Sequence, residues 1–160
     1  MILNYTTYDE IRAILGVSSD DLEDATLDLQ IYDNYLTMEL EDVNINIPDA
    51  FSTAYTAPSP TAAQLRFLQA TSMFAAFAIA RQLTTSLPLF AAKQETDSKA
   101  SGTRFDNAYK DTIASVQKEY GRMRNRLIQC YDAVASTETT KVTRTFFGIV
   151  KPSSDPITGS

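Results

Sequence analysis

The side chains that most enzymes use for catalysis are scarce in this sequence. Its 160 residues include no histidine and a single cysteine, Cys130. One chain therefore cannot supply a Ser–His–Asp triad, a Cys–His dyad, a histidine-ligated metal or a thiolate zinc site. The carboxylates are dense enough to form pairs, but no cofactor motif or glycine-rich phosphate loop accompanies them. We expect a non-enzymatic protein with no cofactor or metal, and the lone thiol suits a reducing, intracellular compartment.

The charged residues are distributed unevenly, because the first part of the sequence is acidic and the rest is basic. Residues 1–60 hold twelve acidic residues and one basic residue, Arg12, for a net charge of −11. Residues 61–160 hold thirteen basic and eight acidic residues, for a net charge of +5. The acidic half can pack on the basic half within one fold, or on the basic half of a neighbouring copy. A head-to-tail contact of the second kind closes into a ring where the rotation allows it. Composition leaves both arrangements open.

Two clusters of charged residues are candidates for pairing between subunits: Asp20, Asp21, Asp24, Arg122, Arg124 and Arg126. The aspartates complement the positive end of a helix dipole, and the arginines form the densest basic patch of the chain. We expect the two clusters to pair within the same subunit or across neighbouring ones. A helix-turn-helix DNA reader is excluded by the sign of the charge, because residues 20–42 contain nine acids and no base. The acidic spacing also lacks the alternation of a calcium-binding EF-hand loop.

Helices must position these clusters. A capping box at Thr7 and Glu10 predicts a short first helix that ends at Gly16. A stripe of apolar residues predicts a second helix over about 19–42. The next segment, 44–60, is rich in Asn, Pro, Ser and Thr, and predicts a short strand or an extended arm.

The third predicted helix begins at Ser59, which is followed by proline, and runs to about Thr84. Residues 73–80 carry no charge, so this helix is expected to be central and buried on all sides. Its cover comes from its own chain or from neighbouring copies. Only fourteen residues separate Arg66 from Arg81, too few to cross a bilayer, so no membrane partner is expected.

A polar segment over 93–102 precedes the fourth predicted helix, which spans about 103–135. This helix contains Gly121, which marks a position for a kink or a close contact. The predicted fold class is therefore all-α: a four-helix bundle with a long C-terminal helix and an extended, β-prone C-terminal arm. We expect a helical domain over 1–136 and the arm over 137–160.

The arm carries the most function-like segment of the chain, because strand-forming residues dominate 137–150 and large apolar side chains lie near its end. These side chains can fold back on the helices of their own chain or insert into a partner. The candidate docking residues are Arg144, Phe146, Phe147, Ile149 and Val150.

Residues 5–21, YTTYDEIRAILGVSSDD, resemble the start of the head-to-tail connector proteins of tailed bacteriophages, the adaptor family that lies beneath the portal. In that pattern a short capped helix, a turn of small residues and an acid-rich start to a long helix follow one another. The order of the remaining elements is also similar: an apolar third helix, a long fourth helix and an extended tail. The resemblance implies a helical, non-enzymatic virion protein of the neck that assembles in the host cytoplasm.

The same resemblance implies partners. Such adaptors form a homo-oligomeric ring, commonly of twelve copies, between the portal above and a tail or nozzle protein below. Their C-terminal arms dock on the portal, and DNA passes through the channel without specific recognition because acidic faces do not hold phosphates. The alternative that we carry forward is a small intracellular helical regulatory module that binds a partner helix or peptide.

Overall fold

The computed structural model describes residues 2–86 and 106–139, and every regular element within them is helical. A 3-10 turn at Ile2–Asn4 precedes six α-helices: α1 (Tyr8–Leu15), α2 (Asp24–Leu27), α3 (Gln30–Val43), α4 (Ile47–Thr56), α5 (Ala62–Ser86) and α6 (Asp106–Thr139). The predicted all-α class is confirmed. The predicted count of four helices is too low for the described ranges, because the second helix is interrupted and the connection after it is helical.

The first helix, α1, begins and ends where its caps predict. The Glu10 amide donates to the Thr7 hydroxyl at 3.3 Å, and the Thr7 amide donates to Glu10 Oε2 at 3.1 Å. Gly16 ends the helix with a φ of 68°, in the left-handed region that glycine adopts without a steric penalty.

The predicted single helix over 19–42 is wrong in its first half. Ser18 and Asp21 hold each other in a turn through reciprocal hydrogen bonds, and only the four residues of α2 follow before α3 begins. Leu22 and Leu27 are both buried, yet five residues of one helix would place them about 140° apart around its axis. The chain turns because that is how both leucines reach the same core.

The segment predicted as a strand or an extended arm contains α4 instead. Proline in its first turn suits a helix start, and Ile47, Phe51 and Ala54 are buried at the i, i+4, i+7 spacing of a helix face. The apparent alternation before it is not that of a strand, since Val43 ends α3 and Ile45 is exposed between the two helices.

Helix α5 is the centre of the fold, as the uncharged segment predicts. It contacts α1, α3, α4 and α6, and six of its residues in 73–80 are buried by this chain. Its start lies two residues later than predicted: Thr61 and Gln64 form a capping box, with backbone-to-side-chain bonds of 2.8 and 3.2 Å. Met73 is the exposed exception, and it lies in the groove described below.

Helix α6 packs along α5 through Val116, Met123, Leu127 and Val134, which recur on one helix face. It continues to Thr139, so the first three residues assigned to the extended arm are helical instead. The helix continues past its predicted end because residues 136–139 contain neither proline nor glycine to stop it.

The predicted polar segment over 93–102 and the rest of the predicted strand over 137–150 lie outside the described residues. Within residues 2–86 and 106–139, no helix combines the length and the apolar character needed to cross a bilayer.

Candidate functional site

An open groove of about 700 Å³ lies where the N-terminal turn, the start of α1, and helices α4, α5 and α6 meet. Its aromatic wall is a chain of three rings. The Tyr5 and Phe51 ring centroids are 4.8 Å apart, and Tyr55 stacks on Phe51 at 5.9 Å with an interplanar angle of 12°. Phe51 and Tyr55 are one helical turn apart on α4, so this helix aims both rings at the groove.

The groove exposes apolar surface. Tyr55 keeps 71% of its surface exposed, Met73 keeps 45%, and Leu3 also faces solvent. Single exposed apolar side chains are ordinary, but several that converge in one concave surface are typical of a binding site. The volume and the aromatic lining suit a helix or a short peptide segment better than a small polar molecule.

One edge of the groove is basic. Arg122 and Arg126, one turn apart on α6, both line it and are both exposed. Arg122 pairs with Glu119 of its own helix at 3.1 Å, whereas Arg126 makes no ion pair with the described parts of the chain. Two predicted pairing residues therefore lie at the edge of an apolar groove.

Glu10 also lines the groove, but its carboxylate is held from within the chain. The Thr6 hydroxyl donates to it at 2.6 Å, the Thr7 amide donates at 3.1 Å, and Ser72 adds a side-chain hydrogen bond. These bonds, led by that from Thr6, lower the pKa of Glu10 below its ordinary value against the opposing effect of burial. Glu10 is thus an ionised carboxylate whose hydrogen bonds come from Thr6, Thr7 and Ser72, and within the described residues it forms no ion pair with Arg122 or Arg126.

The acidic candidates lie on a different surface, which we call the acidic ridge. It consists of the exposed carboxylates Asp20, Asp21, Glu23, Asp24 and Asp28. Arg12 bonds to one of them, because its guanidinium donates to Asp24, to the Leu22 carbonyl at 2.9 Å and to Asp9 at 3.2 Å.

The two predicted clusters do not meet within one chain. Across residues 2–86 and 106–139, no ion pair joins the acidic ridge to Arg122, Arg124 or Arg126. Arg124 instead donates to the backbone carbonyl of Asp42, at the end of α3, at 3.5 Å. The structure brings Arg122 and Arg126 to the groove and leaves Arg124 and the acidic ridge outside it.

A second polar cluster, absent from the sequence-based candidates, joins three helices. Glu39 of α3 accepts hydrogen bonds from the hydroxyls of Tyr35 and Tyr120, and lies 3.7 Å from Arg81 of α5. The Arg81 guanidinium also lies 4.4 Å from the centroid of the Tyr120 ring, a cation–π distance.

Burial and the bond to Glu39 raise the pKa of Tyr120 to about 12, and the same two causes raise the pKa of Tyr35. Both phenols therefore remain protonated donors at neutral pH. Glu39, Tyr35, Tyr120 and Arg81, which we call the Glu39 cluster, thus form a polar joint between α3, α5 and α6.

No group of three or more His, Cys, Asp or Glu side chains within residues 2–86 and 106–139 is placed to hold a metal ion. Cys130 is a half-buried free thiol. The docking candidates of the arm, which are Arg144, Phe146, Phe147, Ile149 and Val150, lie outside the described residues.

The groove residues Tyr5, Phe51 and Tyr55 are absent from the sequence-based candidates. The pairing of two aromatic residues at i and i+4 was the available signal, but it has meaning only if the segment is helical. No protein-family model, curated protein or solved structure matches this chain.

Proposed function

We propose that this chain is a virion structural protein: a head-to-tail adaptor that forms a ring beneath the portal and extends the DNA channel. One observation carries the proposal. The acidic ridge and the arginine-edged groove are opposite in charge, exposed, and unpaired with each other within one chain. Two complementary but different surfaces on one molecule support head-to-tail association, which forms a ring where the rotation closes.

In this proposal the helices that correspond to the four predicted ones, α1, α3, α5 and α6, form the bundle of each subunit. The β-prone arm beyond Thr139 docks on the portal, and a tail or nozzle protein binds below. Twelve copies suit a ring that continues a portal channel. The excess of exposed carboxylates lets DNA slide past, because tight phosphate binding requires lysine and arginine. The protein assembles in the host cytoplasm and resides in the neck of the virion.

Cryo-electron microscopy of the particle that contains this chain tests the proposal. We expect a cyclic ring of this chain stacked on a larger ring, with its C-terminal arms reaching upward. A chain that is absent from the neck, or present as single copies without rotational symmetry, contradicts it.

A small helical regulatory module is the second candidate, and the groove is the observation that favours it. An apolar channel with an aromatic wall can accept one face of a partner helix. This candidate requires a compact monomer, no ring at any concentration, and a one-to-one complex with a foreign helix or peptide. Native mass spectrometry of the complex isolated with this chain separates the two functions by its stoichiometry.

A further inference from the structure

We propose that the groove is occupied by the acidic ridge of a second copy of this chain, together with the apolar side chains that follow the ridge. This inference rests on the proposed ring and names the surfaces that would build it. It assigns a function to the groove, whose aromatic residues no sequence pattern singled out.

The ridge has the mixed chemistry that the groove requires. Directly after its last carboxylate, Leu29 and Ile31 keep 52% and 62% of their surface exposed. A segment that presents carboxylates beside large apolar side chains complements a surface that presents guanidinium groups beside aromatic rings. The apolar part contributes affinity, and the charges fix the register and orientation.

The charges that would meet are available. Asp20 and Glu23 of the ridge make no hydrogen bond or ion pair through their side chains with the described parts of the chain, and Glu23 gives no side-chain cap to α2. On the groove side, Arg126 makes no ion pair with the described parts of the chain, and the exposed Arg122 pairs there only with Glu119, three residues earlier on its own helix, through an exposed hydrogen bond. An exposed pair of that kind contributes little and is readily exchanged.

The ridge of a chain cannot fill the groove of the same chain, because α1 separates the two. Glu10 faces the groove, while Tyr8 and Arg12, about 200° around the helix axis, contact Asp28 and Asp24 of the ridge. The two surfaces thus lie on opposite sides of α1. A contact between them joins different copies head to tail, as a ring requires.

A charge swap in the full-length chain tests the inference. One variant reverses the ridge with Asp20→Lys and Glu23→Lys, and the other reverses the groove with Arg122→Glu and Arg126→Glu. Sedimentation equilibrium, carried to the highest soluble concentration, measures association of each variant alone and of the two mixed. We expect each reversal to weaken association by roughly tenfold or more, since like charges then face each other. We expect the mixture to restore association, because each reversed surface meets a complementary one on the other variant.

Matched controls separate this contact from general charge effects. Glu41→Lys with Asp132→Lys changes the net charge as the ridge variant does, and Arg66→Glu with Lys118→Glu changes it as the groove variant does. All four controls lie on exposed positions outside both surfaces. We expect neither control to weaken association comparably, because each keeps the native ridge and the native groove. A loss confined to the two reversed variants is then due to the altered surfaces and not to the change in net charge. Circular dichroism melting verifies that every variant is folded.

The outcomes distinguish this inference from the proposed function. Reversed variants that associate as the native chain does overturn the groove contact while leaving the ring in place. A native chain that stays monomeric throughout also overturns the contact, and the symmetry of the particle then decides separately on the ring. Loss of binding to a different virion protein, with self-association unchanged, assigns the groove to that protein instead.

Discussion

At the scale of single residues, a few basic side chains organise the acidic half of the chain. Arg12, the only base in residues 1–60, ties α1 to the start of α2 through the Leu22 carbonyl and the Asp24 carboxylate, and it also bonds to Asp9 of its own helix. Arg81 likewise ties its own helix, α5, to α3 through Glu39 and to α6 through the ring of Tyr120. Each arginine bridges segments that no local pattern connects.

The Glu39 cluster is expected to make the free energy of unfolding fall as the pH becomes alkaline. The folded state raises the pKa of Tyr120 from 10.0 to about 12, chiefly by burial and then by the bond to Glu39. The unfolded chain therefore loses this proton first, so the stability contributed by the cluster is complete below about pH 10 and is lost as pH rises towards 12. We expect the Tyr120→Phe variant to be less stable than the native chain at neutral pH, and its stability to fall less steeply above pH 10.

Urea denaturation at a series of pH values measures this difference. Tyr55→Phe is the matched control, because its ring is exposed in the groove and its hydroxyl lies outside the Glu39 cluster. An unchanged slope in Tyr120→Phe would show that this phenol does not couple folding to pH.

At the scale of the elements, helix starts are decided by which side chain reaches a free amide. The sequence predicts Ser59 as the cap of α5, whereas in the structure Thr61, two residues later, caps it. Thr61 prevails because Gln64 returns a hydrogen bond to its amide, whereas Ser59 has no such partner. The proline between them precedes the cap instead of occupying the first helical position.

Substitution of the two candidate caps discriminates between them. Thr61→Ala is expected to reduce the free energy of unfolding by about 1 kcal/mol, because a free amide of α5 loses its acceptor. Ser59→Ala is expected to change it by less than about 0.5 kcal/mol, as for an exposed residue without a partner. Chemical denaturation of both variants gives the comparison, and equal effects would mean that neither residue caps the helix alone.

The two described glycines predict opposite outcomes. Gly16→Ala is expected to lower the free energy of unfolding by roughly 1–2 kcal/mol, because a residue with a side chain is strained at the φ of 68° that Gly16 adopts. Gly121→Ala is expected to raise the free energy of unfolding by about 0.5–1 kcal/mol. A Cβ at this position meets nothing within 4 Å, and alanine is more favourable than glycine in the interior of a helix such as α6. Thermal or urea unfolding measures both. A destabilising Gly121→Ala in the purified chain would show that α6 needs glycine for its own geometry.

At the scale of the whole molecule, α5 is buried by helices from both sides of the sequence. Phe67, Phe74, Ile79 and Leu83 are fully enclosed, with α1, α3 and α4 on some faces and α6 on another. Among the described residues, no buried side-chain nitrogen or oxygen lacks a hydrogen-bond partner. The described helices thus satisfy their own core.

Truncation after Thr139 follows from this core. We expect the shortened chain to keep its helix content and cooperative melting, because the buried side chains of α1 to α6 cover one another. We also expect it to lose binding to the portal, which the proposed function assigns to the arm. Circular dichroism measures the first effect and co-sedimentation with portal rings the second. A large fall in melting temperature would place the arm in the core.

Features that depend on neighbours a few residues away were predictable from the sequence. The capping box and Gly16 of α1 and the uncharged centre of α5 are local patterns, and they predict the all-α class. Helical periodicity and capping act within one or two turns, so they can be read without knowing the fold.

Other features depend on contacts between residues far apart in the sequence, and these appear only in the folded chain. The turn between Ser18 and Asp21 exists because Leu22 and Leu27 must enter one core, and α4 is recognisable only once its face has α5 to pack against. The groove forms where five segments of the chain pack together, and the sequence around its aromatic residues does not indicate that these segments are in contact. Whether a side chain is buried depends on how the whole chain packs. Helical periodicity therefore predicts that a segment is a helix, but it does not predict which of the helix's residues remain exposed.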